Sequence, residues 1–267
     1  MKAYLSFFKI RFINGLQYRA AAYAGIVTQF AWAFMYIMLY QTFYNSNTTI
    51  SPMNFSQLSN YIWLQQAFLA LFMTWFLDEG IFDLISTGNV SYELCRPLDI
   101  YNIWFAKNCS LRLSKAVLRC GPILIIAFLL PEPYRFTLPS SYMSGILFIL
   151  SMFLAFIVVV AYCMLVYILT FYTISPMGVR MALVMTADFF SGGLVPLPLL
   201  PDWLTKYIYL TPFGAMQNVP FRIYSGNIPL DDIFRTITLQ IIWAIVLIVV
   251  GKALLSKTLK RVVVQGG

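Results

Sequence analysis

A single carboxylate, Asp188, stands in an otherwise apolar stretch of this chain, just ahead of Gly192-Gly193. An acid within such a stretch can bind a cation, relay a proton or pair with a buried base. The spacing i, i+4, i+7 puts Met181, Met185 and Asp188 on one helical face, where they could line a pathway. A plainer use of the same acid is a hydrogen bond to a neighbouring helix, and methionines pack bundles more often than they form binding boxes. Both uses stay open. The candidate bases are Arg180 and Arg222; Arg180 is about 12 Å away along a helix, so direct pairing within the span is strained.

Little other chemistry is available. The chain has no histidine, which removes the commonest general base, metal ligand and pH switch. Its four cysteines, Cys95, Cys109, Cys120 and Cys163, include no C-x-x-C pair, so a zinc site is not expected. No phosphate-binding G-x-x-x-x-G-K-[ST] loop occurs: the lone Gly251-Lys252 is followed by Ala253. ATP hydrolysis by this sequence is therefore not expected, and no cofactor is predicted for it.

The elements that position Asp188 are set by where charge is missing. No Asp, Glu, Lys or Arg occurs between Ala20 and Leu77, nor between Phe136 and Val179. A charge at mid-bilayer costs about 2.5–3.5 kcal/mol on insertion scales, and a bilayer imposes such gaps. Of the 267 residues, 60% are hydrophobic and 10% charged. The sequence thus predicts an all-α polytopic membrane protein, one transmembrane domain over residues 1–267. The expected spans are 20–43, 61–77, 110–130, 143–171, 181–195 and 233–254. Residues 1–18, basic and aromatic, read as a helix along the cytoplasmic surface or as the front of the first span. The third span is expected to begin near Ser110, with Arg112, Lys115 and Arg119 snorkelling toward the interface. No cleavable signal peptide is expected, since the first apolar stretch is too long.

Basic residues orient the chain. With the N-terminus inside, 14 of the 18 lysines and arginines fall on the inner side. The remaining four are Arg135, Lys206, Arg222 and Arg235. Both termini are then cytoplasmic, and the inner cysteines are expected reduced. In a soluble protein a net charge of +8 would suggest nucleic acid; here it marks membrane edges, and no nucleic-acid partner is expected.

Two segments carry more information. Residues 80–98 are too apolar for a solvated inner loop: Ile81, Leu84 and Ile85 share a helical face, and Val90 and Leu94 share another. The segment needs something to bury against, either its own bundle or a soluble partner. Arg96 could pair with an acid on such a partner or anchor a lipid headgroup; Glu93 and Asp99 read as solvated. Residues 192–230 combine Gly192-Gly193 with Pro196, Pro198, Pro201, Pro212 and Pro220, which forbid one regular helix. Trp203, Tyr207, Tyr209 and Phe213 suit an interface, so a re-entrant or outer helical hairpin is predicted there.

The two segments, in this order, resemble the permease subunits of ABC transporters of the type-two exporter class. The inner pattern is Ile85-x-x-Gly88-x-Val90-x-x-x-Leu94-x-Arg96-Pro97. The outer one is Gly193-x-x-Pro196, then Leu200-Pro201-x-Trp203 and Leu210-x-Pro212-Phe213. Asn89 departs from the acidic residue that relatives often carry after the glycine. The resemblance implies six spans, a coupling helix between spans two and three, and a separate ATPase dimer docked on it. The docking set is Ile85, Gly88, Val90, Glu93, Leu94, Arg96 and Pro97. It also implies that ATP and Mg sit on that partner, and that a second permease chain, of a different paralogue, completes the pathway. Pathway or gating candidates are Met181, Met185, Asp188, Gly192, Gly193, Pro196, Pro201 and Trp203. The implied function is outward movement of an amphipathic or hydrophobic drug, peptide or lipid across a plasma membrane. The competing reading is a self-contained channel or secondary carrier centred on Asp188. That reading needs polar groups on several spans. A membrane enzyme or a non-transporting subunit has fewer residues to support it.

Overall fold

Chain segments that lose contact with water must satisfy every backbone N–H and C=O internally, and helices do so within one segment. The computed structural model describes residues 2–46, 52–139, 141–173 and 176–260, and no strand occurs among them. The helices are α1 (Lys2–Leu16), α2 (Arg19–Ser46), α3 (Phe55–Ala67), α4 (Leu69–Phe72), α5 (Glu79–Ser86), α6 (Val90–Leu94) and α7 (Ile100–Leu129). They continue with α8 (Tyr142–Thr170), α9 (Pro176–Phe190), α10 (Asp202–Ile208), α11 (Asn218–Tyr224) and α12 (Leu230–Leu259). Among the described residues, the helices starting at Arg19, Tyr142 and in the first turn of α12 are long and apolar enough to cross a membrane.

Local signals start these helices. Asn54 and Gln57 form a reciprocal capping box at the head of α3. Asp99 accepts from the Asn102 amide and starts α7, while Ser141 accepts from Ser144 and starts α8. α8 is the centre of the molecule. Its run Val158-Val159-Val160-Ala161 is fully buried, because short and β-branched side chains let neighbours close in. Residues near its start pack on α11, where Phe148 meets Tyr224. Residues near its end pack on α5, where Tyr167 meets Phe82. Segments 79–94 and 218–224 thus lie at opposite ends of α8. Between them, Ser151 donates to Gln240 of α12, whose amide donates in turn to the Ala215 carbonyl.

α1 is a helix of its own, separated from α2 at Gln17-Tyr18, and it lies against α7. The Tyr4 hydroxyl accepts from the Asp99 amide, and a Cβ added at Gly15 would fall on the Ser114 side chain.

Two expectations are corrected. Residues 61–77 are not one helix: the chain breaks at Phe68, makes the short α4, and runs without helix from Met73 to Asp78. Helix α7 starts at Ile100 rather than near Ser110, and Arg112 does not snorkel but is fully buried, at 0% exposure. The break and the buried arginine belong together, because Arg112 takes up backbone carbonyls that the break sets free. Of the basic residues assigned to the inner side, Arg261 lies outside the described residues.

Candidate functional site

The unwound stretch 73–78 leaves backbone carbonyls without helical partners inside the protein, where an unmet group costs about 1–3 kcal/mol. Arg112 meets them. Its guanidinium donates to the carbonyls of Leu71 (2.9 Å), Met73 (2.9 Å) and Phe76 (3.1 Å), and to the Cys163 sulfur (3.0 Å). Its Nε donates to Asn108 Oδ1 at 2.7 Å, which fixes the plane of the fork. Only arginine offers five donors in one rigid plane.

Asp188, on α9, holds the same stretch from the other side. Its Oδ1 accepts from the Thr74 amide (2.9 Å) and hydroxyl (2.8 Å), and it is 2% exposed. Its Oδ2 has no partner among the described residues. Just beyond, Gly192 adopts φ +82°, and the Gly193 amide returns to the Asp188 carbonyl at 2.9 Å. A Cβ on Gly193 would lie 2.7 Å from that carbonyl, so only glycine fits. Gln65 of α3 donates its amide to the carbonyls of both glycines. One joint therefore ties α3, α4, α7, α8 and α9 around a stretch of non-helical backbone.

The joint leads into residues 78–97 through polar contacts. The Asp78 amide donates to the Tyr167 hydroxyl at 2.7 Å, and its carboxylate pairs with Lys107 at 2.9 Å. Glu79 pairs with Arg180 of α9 at 2.7 and 2.8 Å, and the Arg180 guanidinium lies 5.2 Å from the Phe82 ring centroid. Ile81, Phe82 and Val90 are buried under the bundle. Asp83, Ser86, Thr87, Asn89 and Tyr92 are exposed, as are Leu94, Arg96 and Pro97. Gly88 has φ +73° with nothing near its missing Cβ, and it separates α5 from α6.

Not every residue singled out from sequence comes to these places. Val90 is buried and Leu94 exposed, although the i, i+4 spacing puts both on one side of α6. Glu93 is not solvated: its side chain is 15% exposed, accepts from Trp104 Nε1 and lies 3.5 Å from Arg96, which is itself 59% exposed. Ile85 packs partly on the bundle. Asp188, Gly192, Gly193 and Pro196 come together as buried residues, whereas Met181, Met185, Pro201 and Trp203 are exposed. Asp188 uses neither arginine proposed for it as an ion-pair partner: Arg180 takes Glu79, and Arg222 bonds Asn227. Arg112, Thr74, Gln65 and Tyr167 were not singled out as site residues. Three of the five Arg112 partners and both Gln65 partners are backbone carbonyls, which no side-chain pattern reveals.

Long apolar helices around α8, a polar joint inside and an amphipathic segment at one end define a helical membrane protein. The chain belongs to the ABC-2 transporter family: the family model described as "ABC-2 family transporter protein" matches residues 30–266. It is accordingly a membrane transport subunit, of a family that works with an ABC ATPase. No curated protein matches the chain significantly.

Proposed function

We propose that this chain is a permease subunit of an ATP-driven exporter, with six spans and both termini in the cytoplasm. A separate ATPase dimer docks on residues 80–98, which act as the coupling helix, and a second permease chain, a different paralogue, completes the pathway. Residues 192–230 then form the outer hairpin. The observation that carries this reading is the two-sided character of 79–97. One side is buried and braced by Lys107–Asp78 and Arg180–Glu79; the other offers Asp83, Tyr92, Leu94 and Arg96. A braced segment transmits a push rather than absorbing it. Movement of the docked ATPase would tilt α5, shift the 73–78 joint and rotate the spans around α8. The exported compound is an amphipathic or hydrophobic drug, peptide or lipid, which an aromatic, weakly charged interior favours.

A channel or carrier centred on Asp188 has less support, since that carboxylate is buried and committed to Thr74. The test is affinity purification of the tagged chain from its native membrane, followed by an ATPase assay. A phosphate-loop subunit should co-purify, and Arg96→Glu, at an exposed side chain, should release it with the thermal midpoint nearly unchanged; an insertion at Gly88 should release it as well. A chain that purifies alone and inactive overturns the reading.

A further inference from the structure

Three of the four basic residues assigned to the outer side, Lys206, Arg222 and Arg235, line one cavity of about 380 Å3 between α10, α11 and α12. A volume of that order suits a small ligand or a headgroup. No carboxylate lies within ion-pair distance of these three among the described residues, although Asp232 also lines the cavity. The charge facing the space is therefore positive.

The inner wall adds a second sign. Asn218 is fully buried, lines the cavity, and uses neither its amide nitrogen nor its oxygen among the described residues. Buried amides are nearly always satisfied, so this one points to something bound. Arg222 is held ready: its Nε donates to Asn227 at 2.8 Å and its guanidinium stands 4.8 Å from the Tyr209 ring centroid. Its terminal nitrogens have no protein acceptor among the described residues, and an oxyanion could take both.

The remaining walls are apolar, with Leu210, Val219 and Ile228. On the same helices, Trp203 and Tyr207 of α10 and Phe234 of α12 are strongly exposed, as befits side chains at headgroup level. We infer that this cavity binds the phosphate of an anionic lipid from the outer leaflet. Its glycerol and upper acyl chain would lie along the apolar wall. The inference rests on the outer placement of residues 192–230 in the exporter reading.

The experiment is thermal unfolding of the full chain in detergent, titrated separately with short-chain phosphatidylglycerol, short-chain phosphatidylcholine and inorganic phosphate. Phosphatidylglycerol should raise the midpoint saturably, and the other two should not. The double variant K206Q/R235Q changes exposed side chains and should keep the unliganded midpoint. It should weaken phosphatidylglycerol binding roughly thirtyfold, with each single change giving part of the loss. Equal stabilisation by phosphatidylcholine, or undiminished binding by the variant, overturns the inference. Equal stabilisation by inorganic phosphate overturns the lipid assignment. The readout needs no ATPase, so its failure is separate from failure of the docking reading.

Discussion

The two ends of α8 are built from opposite materials. At the end bearing residues 78–97, cations are consumed by structure: Lys107 holds Asp78, Arg180 holds Glu79, and Arg112 holds five acceptors. At the other end the contacts are mostly aromatic, and the Glu132–Arg135 ion pair lies at the surface. Phe136 and Phe148 pack on Tyr224, the Arg222 guanidinium stands over the Tyr209 ring, and Trp243 donates to the Leu210 carbonyl. There the cations Lys206 and Arg235 have no ion-pair partner among the described residues. Directional, charge-assisted bonds resist displacement and suit a part that must transmit force. Aromatic packing with spare charge suits a part that must receive a ligand.

The largest expected effect comes from removing the cation on which the force-bearing end depends. Arg112→Ala leaves three buried carbonyls unmet and should lower stability by about 3–5 kcal/mol, or prevent accumulation in the membrane. Arg112→Lys should rescue only in part, because an ammonium cannot span the same acceptors in one plane. Thermal unfolding in detergent and membrane yield measure both. A stable, fully accumulated Arg112→Ala protein would remove the basis for calling the joint a rigid link.

Much of this architecture is legible from charge alone. The apolar stretches 20–43, 143–171 and 233–254 coincide with α2, α8 and α12, since a bilayer is what keeps charge out of so long a run of chain. Gly192-Gly193 is compatible with flexibility or with close backbone approach, and the structure shows the latter, at the Asp188 carbonyl. The break in residues 61–77 was not legible. Phe68 and the stretch Met73 to Leu77 contain neither glycine nor proline, so nothing local forbids helix there. The helix stops because Arg112 and Asp188, far along the chain, offer its backbone better partners. A tertiary cause leaves no trace in a window of neighbouring residues, and the same reason hid the burial of Arg112.

The next prediction sets one end against the other with a single atom type. Gly88 and Gly192 share left-handed backbone, φ +73° and +82°. A Cβ at Gly88 meets only open space, so Gly88→Ala should cost about 1–2 kcal/mol for the conformation alone. At Gly192 a Cβ would come within 2.7 Å of the Tyr61 hydroxyl and 3.2 Å of the Leu197 side chain. Gly192→Ala should therefore add about 1–3 kcal/mol of overpacking to the same backbone term. Denaturant midpoints for the two variants decide it. Equal losses would mean that the Gly192 loop yields easily and that its end of the molecule is softer than its packing implies.

The smallest effect on stability is expected from the Glu79–Arg180 pair, and for that reason it separates structure from coupling most sharply. The geometry is bidentate, but the Glu79 side chain is 65% exposed and that of Arg180 25%. Such pairs contribute about 0.2–1 kcal/mol and weaken with salt. Glu79→Gln should thus leave the unfolding midpoint nearly unchanged. The pair nevertheless bridges α5 to α9, the helix that carries Asp188 and leads into the Gly192 loop. If residues 79–97 act as a strut, loosening that bridge should lower substrate-stimulated ATPase of the assembled transporter more than it lowers stability. The double variant should fall no further than Arg180→Gln alone, because the bridge is lost once and the Arg180 contact with the Phe82 ring is lost in both. Independent, additive losses would show that the two residues serve separate purposes and that force reaches α9 by another route, with the 73–78 joint the next place to break.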